Sequence, residues 1–189
     1  ALFSHGDTPV WSPGSQTGSG AHTVSLGSLS KSHGMAGWRL GWAVVPQALM
    51  ASLAKVQDTI LICAPKLIQR AAIAALQVNT EWLTARIAGL AARRREVLQA
   101  LDHTGAPWQI LGPADGAFYL LLQLDSPLDS DVAMERLIRE HRVALVSGRS
   151  FGLEGCCLRL SYGMLEGDAL AEACRRLNDG LEALSASQL

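Results

Sequence analysis

The sequence lacks the features that mark several broad classes of protein. Its 16 Lys and Arg residues balance 17 Asp and Glu residues, so the formal net charge is only -1. A chain without a basic excess has no electrostatic signature for binding nucleic acid or an anionic membrane. No apolar run reaches the roughly 18 residues that a membrane helix needs, and the N-terminus has no signal-peptide pattern. We therefore expect a soluble, cytoplasmic protein that contacts neither nucleic acid nor membrane.

Cysteine and lysine are also scarce. The four cysteines, at positions 63, 156, 157 and 174, form no CxxC pair and no cluster with histidine at zinc-binding spacing. We expect reduced thiols and no metal site, with Cys156 and Cys157 acting as small apolar residues at a strand edge. Only three of the basic residues are lysines, namely Lys31, Lys55 and Lys66. Any lysine chemistry must therefore use one of these three side chains.

The pattern of apolar residues and breakers predicts alternating helices and strands. Residues 4–21 are rich in Gly, Ser, Pro and Thr and predict a surface loop. The alternation indicates an α/β or α+β body, and a change of composition near residue 100 marks a domain boundary. The predicted strands are 22–29 and 40–45, both expected to be buried, then 108–111, 117–124, 143–146 and 157–161; the predicted helices are 47–62, 66–78, 81–101, 131–141 and 168–184.

The densest cluster of chemically distinctive residues is SLSKSHGMAGWRLGW, between the first two predicted strands. Lys31 follows a strand end among serines, and Arg39 comes eight residues later. An amine in a partly desolvated pocket beside a cation has a lowered pKa and becomes a nucleophile toward an aldehyde. Arginine stays charged and binds a phosphate through its planar fork, helped by hydroxyls and backbone amides. The string therefore predicts a reactive lysine next to a phosphate site.

The string Ser28-x-Ser30-Lys31 followed by Gly37-x-Arg39-x-Gly41 resembles the cofactor-lysine motif of the class I and II aminotransferases, which are pyridoxal phosphate enzymes of fold type I. The resemblance implies that Lys31 forms a Schiff base with pyridoxal 5'-phosphate. It also implies that Ser28 and Arg39 bind the cofactor phosphate. The neighbouring side chains of His33, Trp38 and Trp42 are expected to pack the loop.

Further motifs extend the resemblance downstream. They are Pro65 to Ala72, the strand Gly116 to Tyr119, the turn Gly148 to Gly152 and the strand Leu158 to Ser161. In similar enzymes the arginine of the last strand holds the substrate α-carboxylate, which assigns that role to Arg159. An arginine between two leucines on a short strand needs an anionic partner, and an internal Asp or Glu is the alternative to a ligand. Arg149 is expected on the turn surface.

The resemblance covers residues from about 22 to 185, which is about half of the family's length. It implies the end of a fold type I large domain over residues 1–97 and an α+β small domain over residues 98–189. The family's upstream half carries the residues that contact the pyridine ring, so we expect this chain to be incomplete. Family members are usually homodimers, and we expect the same of the complete protein.

The implied reaction is amino transfer from an amino acid to a 2-oxo acid. The motif string is similar to that of transaminases acting on arginine or other larger amino acids with pyruvate. Two alternatives stay open at this point. The scaffold also serves pyridoxal phosphate-dependent carbon-sulfur lyases, and some transcription regulators carry an aminotransferase-like sensor domain. The segment from Met35 to Arg39 favours the enzyme over the regulator.

Overall fold

The computed structural model describes residues 3–5 and 11–186, which form two compact units. The N-terminal unit comprises residues 11–86, and the C-terminal unit comprises residues 3–5 together with residues 87–186. The division falls inside a long helix, eleven residues before the predicted domain boundary after residue 97. The assignment of large and small domains stays a prediction.

The N-terminal unit is a β-hairpin followed by helices. Strands β1 and β2 pair antiparallel, with Ser25 opposite Val44 and Ser28 opposite Gly41. Short 3-10 turns lie at Pro13–Ser15, Ser19–Ala21, Ala36–Trp38 and Gln47–Leu49. The regular elements are β1 (Ser25–Ser28), β2 (Gly41–Val44), α1 (Met50–Leu61), α2 (Lys66–Leu76) and α3 (Thr80–Leu101), the last continuing into the C-terminal unit.

This unit has a very small core. Its buried apolar residues are Leu29, Met35 and Ala72, with alanines of α2 packed around them. Both strands were predicted to be buried, and that prediction is wrong for the described residues, since β2 is exposed along its whole length and Leu26 of β1 is 81% exposed. The apolar face of α1 is exposed too, including Ile60 at 76%. Nothing in the described part of the chain covers these faces.

The C-terminal unit is built on an antiparallel sheet with strand order β3-β4-β6-β5. The predicted hairpin of β3 and β4 is present, with Trp108 opposite Leu124. Residues 3–5 lie against the hairpin connection, where Ser4 forms a bridge to Gly116. The elements are β3 (Trp108–Ile110), β4 (Tyr119–Leu124), α4 (Ser130–Arg136), a π-helical turn (Leu137–His141), β5 (Val146–Ser147), a 3-10 turn (Gly148–Phe151), β6 (Cys157–Ser161) and α5 (Gly167–Ala186).

One predicted strand is shorter and later than expected. The sequence predicts a strand over residues 143–146, whereas β5 contains only Val146–Ser147. The helix before it ends in a π turn, and Arg142 adopts the left-handed conformation with φ 57°. Val143 then donates its backbone N–H to the Leu137 carbonyl at 3.2 Å, so it closes the helix end instead of joining the sheet.

The core of this unit lies between one face of the sheet and α5. Alternate residues of β4 and β6 point into it, and the helix contributes a stripe in which Leu177, Leu181 and Leu184 are fully buried. The predicted stripe of this helix is therefore confirmed, apart from the half-buried Ala173. No single helix of the described residues is long and apolar enough to cross a membrane; only the pair Gln47–Leu61 and Lys66–Leu76, bent by 120°, passes that test together.

Two helical glycines provide a test of this packing. A Cβ at Gly180 of α5 would lie 2.5 Å from Cδ2 of the fully buried Leu137 and 3.1 Å from the His141 ring, so both side chains would have to shift. We expect Gly180→Ala to lower the free energy of unfolding by about 1–3 kcal/mol. A Cβ at Gly89 of α3 meets only Arg93 at an ordinary 3.7 Å, so Gly89→Ala should raise stability by up to about 1 kcal/mol. Urea denaturation followed by circular dichroism measures both, and equal losses would contradict this packing.

Candidate functional site

The reactive-lysine motif forms the closed end of the β1–β2 hairpin. β1 ends at Ser28 and β2 begins at Gly41, and these two residues are paired across the hairpin. The loop of residues 29–40 therefore leaves and returns at one point. Ser28 is the last residue before the loop, and its pairing partner Gly41 comes two residues after Arg39. The pairing therefore places Ser28 and Arg39 at the same end of the hairpin. Lys31 lies three residues into the same loop.

The loop is held by its two apolar residues. Leu29 and Met35 are buried against Ala72 of α2, and the Leu29 carbonyl accepts the backbone N–H groups of both His33 and Met35 at 3.2 Å. Lys31 sits on the turn between these two anchors, and its side chain is exposed. The partly desolvated pocket predicted for this amine is not formed by the residues that the structure describes.

His33 packs as predicted. Its Nδ1 lies 2.8 Å from the Ser32 hydroxyl, and its ring stacks on Trp82 with centroids 5.9 Å apart. The Ser32 hydroxyl also reaches the Ser28 carbonyl at 3.3 Å. These contacts fix the turn on either side of Lys31 and leave the lysine itself without a described partner.

Arg39 has an unusual backbone. It is left-handed, with φ 54° and ψ 47°, and its Nη1 donates to the Ala36 carbonyl at 2.6 Å. Gly41, two residues later, leaves no space for a side chain, because a Cβ there would lie 2.9 Å from the Gly27 carbonyl oxygen. Trp42 lies over Gly27 across the hairpin, as expected of a residue that packs this region, although its side chain and that of Trp38 remain about half exposed.

The electrostatic environment of this loop favours an anion. No Asp or Glu occurs between residues 8 and 57, whereas Lys31 and Arg39 both lie there. In the described part of the chain neither cation forms an ion pair, and the arginine uses one N–H on a backbone carbonyl. An amine, a hydroxyl and a guanidinium at one hairpin end form a donor set that matches a phosphorylated aldehyde.

Arg159 lies in the C-terminal unit, in the middle of β6. It is opposite Leu121 of β4 on one side and Val146 of β5 on the other, on the sheet face turned away from the core. Its Nε is buried without a hydrogen-bond partner, and no Asp or Glu of the described residues forms an ion pair with it. The alternative of an internal carboxylate partner is therefore not observed in residues 3–5 and 11–186.

The sequence did not reveal what surrounds this guanidinium. Arg159 Cζ lies 4.4 Å from the centroid of the Tyr119 ring and 4.7 Å from that of Phe151. Both rings belong to motifs singled out from the sequence, but only as family markers. Arg149 lies on the surface as expected, 3.6 Å from Asp129 and 3.5 Å from Asp131.

The cysteines are not reactive groups of this unit. Cys156 and Cys157 are buried at the start of β6, and Cys174 is buried in α5. Burial raises the pKa of the Cys156 thiol to about 11, since a thiolate is disfavoured away from water. No cluster of three or more His, Cys, Asp or Glu able to hold a metal occurs among the described residues.

A family model now adds to this geometry. The model described as aminotransferase class I and II matches residues 2–177. The chain belongs to this family. Members of the class I and II aminotransferases use pyridoxal phosphate, which is the ligand class that the lysine loop favours.

Individual relatives agree with the family assignment. The chain is 36% identical to an aromatic aminotransferase of Arabidopsis thaliana over 169 residues, 87% of this chain and 42% of the relative. It is also 36% identical to the arginine–pyruvate transaminase of Pseudomonas aeruginosa over 180 residues, 94% of this chain and 44% of the relative. The chain thus spans less than half the length of the relatives it matches.

A solved structure confirms the fold class. The aromatic aminotransferase of Pyrococcus horikoshii superposes with a TM-score of 0.85 at 30% identity, over 96% of this chain and 49% of that one. The predicted α/β architecture of a fold type I aminotransferase is therefore confirmed. The names of these relatives refer to different amino acids, so they do not select one substrate for this chain.

Proposed function

We propose that this chain is the C-terminal half of a pyridoxal phosphate-dependent aminotransferase that transfers an amino group from an amino acid to a 2-oxo acid. The observation that carries the proposal is the closed hairpin end of an aminotransferase-family chain, where Ser28 ends β1 and the following acid-free loop contains Lys31 and Arg39. Lys31 is the proposed covalent attachment point of the cofactor. Ser28 and Arg39 are the proposed phosphate ligands.

The residues present fit this cofactor. The amine of Lys31 is exposed and makes no described ion pair, so it is free to react with an aldehyde. Arg39 donates one N–H to the Ala36 carbonyl, and its other N–H groups are available to a phosphate. When bound, pyridoxal phosphate supplies an aldehyde that bonds to amines and a ring that stabilises negative charge at the substrate α-carbon.

Each residue then has a distinct task. Lys31, once released as a free amine, carries the proton to and from the substrate α-carbon. Ser28 and Arg39 would hold the phosphate, so that the cofactor would be bound by hydrogen bonds and charge as well as through Lys31. Arg159 is the proposed ligand of the α-carboxylate, and its buried Nε without a hydrogen-bond partner among the described residues supports this role.

The same proposal covers the assembly and its surroundings. We expect a cytoplasmic homodimer with residues 1–97 in its large domain and residues 98–189 in its small domain. The exposed apolar side chains of β1, β2 and α1 support additional protein packing on the N-terminal unit. The partners at the site itself are a small amino acid and a 2-oxo acid.

An assay of the full-length protein tests the function. With pyridoxal phosphate, a panel of amino acids and pyruvate or 2-oxoglutarate, we expect amino transfer to the oxo acid. Release of ammonia and an oxo acid from a sulfur amino acid, without amino transfer, would indicate a carbon-sulfur lyase. Cofactor binding without turnover of any amino acid would contradict both enzymes and favour a sensor domain.

Replacing Arg159 by alanine is the direct test of the carboxylate role. The substrate KM should rise and kcat/KM should fall. The fall should correspond to a loss of about 2–4 kcal/mol of transition-state stabilisation, which is the range for losing a charged hydrogen-bonded partner. The cofactor absorbance should be unchanged. Arg149→Ala is the matched control, because its guanidinium already pairs with Asp129 and Asp131 on the surface. Loss of cofactor in the Arg159 variant would show that this arginine has a structural role.

A further inference from the structure

The Phe and Tyr residues of this chain are few and are gathered around Arg159. The sequence contains three Phe and two Tyr. All five lie in the C-terminal unit. Phe3, Phe118 and Tyr119 make a chain of ring contacts that ends on the Arg159 guanidinium, and Phe151 contacts the same guanidinium. The five residues are Phe3, Phe118, Tyr119, Phe151 and Tyr162.

Two of these rings contact the guanidinium from different strands. Tyr119 begins β4, which pairs with one edge of β6, and Phe151 ends the turn that follows β5, which pairs with the other edge. Their centroids lie 4.4 and 4.7 Å from Arg159 Cζ, within the range of a cation–π interaction. A cation–π contact uses no N–H group as a hydrogen-bond donor to a polar acceptor, so both rings leave the donors of the guanidinium to a ligand.

The Tyr119 ring and the turn that carries the half-exposed Phe151 ring are themselves supported. The Phe118 and Tyr119 rings lie 4.4 Å apart, and Phe118 meets Phe3 edge-on at 5.8 Å. The turn that carries Phe151 begins at Gly148, where a Cβ would lie 2.8 Å from the Cys157 carbonyl oxygen, so the turn packs directly on β6. The arrangement therefore restricts the arginine side chain from two sides.

We propose that Tyr119 and Phe151 are positioning residues that hold the Arg159 guanidinium in a fixed plane to receive a substrate carboxylate. This inference rests on the proposed function and extends it to residues that do not themselves bind the substrate. An arginine side chain that is free to rotate loses conformational entropy about several bonds when it forms a pair of hydrogen bonds with a carboxylate. Two neighbouring rings restrict the arginine side chain before the ligand binds. Removing a ring therefore weakens carboxylate binding and does not change the rate of the chemical step.

The test replaces each ring in the full-length protein and separates binding from chemistry. Tyr119→Leu and Phe151→Leu should each raise the amino acid KM by about 5- to 30-fold, with kcat within about twofold of the parent enzyme. The dissociation constant of propanoate, measured by calorimetry at constant ionic strength, should rise by the same factor. Tyr119→Phe and Phe151→Tyr keep a ring in place and should restore both values to within about twofold of the parent.

A double substitution distinguishes positioning from general stability. In an Arg159→Met background, Tyr119→Leu should change neither the amino acid KM nor propanoate binding further, because the group it positions is gone. An equal effect in both backgrounds, or a lower Tm with unchanged propanoate binding, would overturn the inference. If the parent protein binds propanoate through Arg159 but transfers no amino group, the proposed function fails while calorimetry of the ring variants still decides the positioning role. If it transfers amino groups and Tyr119→Leu binds propanoate as the parent does, only the positioning role is wrong.

Discussion

Replacing Lys31 by alanine should abolish amino transfer by the full-length enzyme and remove covalent attachment of the cofactor. Lys31 lies in the closed loop that also contains Arg39, and no other lysine is close to it in sequence. The substitution removes both the covalent anchor and the base that moves the α-proton, so kcat should fall by about 10⁴-fold or more. Borohydride reduction of the parent followed by peptide mapping should place the pyridoxyl group on the peptide containing Lys31.

The other two lysines provide matched controls. Lys55 in α1 and Lys66 at the start of α2 are exposed, as Lys31 is, so removing each deletes the same charge from a solvated position. Lys55→Ala and Lys66→Ala should retain kcat within about twofold, since exposed substitutions away from a site usually have small effects. A pyridoxyl adduct on either control lysine, or full activity of the Lys31 variant, would refute the assignment.

The sequence predicted those elements whose neighbours lie within the chain. β6 has the predicted bounds, and α5 extends only one residue before and two after the predicted range. In both, the residues that create the pattern are buried by β4 and by each other, so local periodicity and tertiary packing agree. The motif around Lys31 could also be found from the sequence, because its residues are close together in the chain and the hairpin pairs neighbouring segments.

Other features depended on contacts that a linear pattern does not contain. β1 and β2 are apolar enough to be buried, yet burial needs a covering surface, which no described residue supplies. Val143 was expected in a strand, but it follows the π turn and closes the end of the helix. Its backbone N–H bonds to the Leu137 carbonyl instead of joining the sheet. The rings beside Arg159 come from residues eight and forty positions away, so no spacing rule could place them there.

The two units should also behave differently when residues 1–189 are studied alone. Among the described residues, the C-terminal unit has a connected core of 19 buried residues, whereas the core of the N-terminal unit has three. Because opening free energies follow local burial, amides of β4 and β6 should exchange with solvent at least about 100-fold more slowly than those of β1 and β2. Hydrogen exchange read by mass spectrometry of proteolytic peptides measures this difference directly.

The same chain should show no measurable amino transfer when pyridoxal phosphate is added. Its hairpin contains the proposed covalent anchor and phosphate ligands. The apolar faces of β1, β2 and α1, however, are not covered by any described residue, so they should bind a hydrophobic dye and promote aggregation. Substituting Leu26 and Val44, both exposed on the hairpin, by threonine should reduce dye binding without changing exchange in β4 and β6, since those strands belong to the other unit. Uniform protection across both units together with turnover would refute this expectation, because it would mean that 189 residues bury enough surface and supply enough groups to work as a complete catalyst.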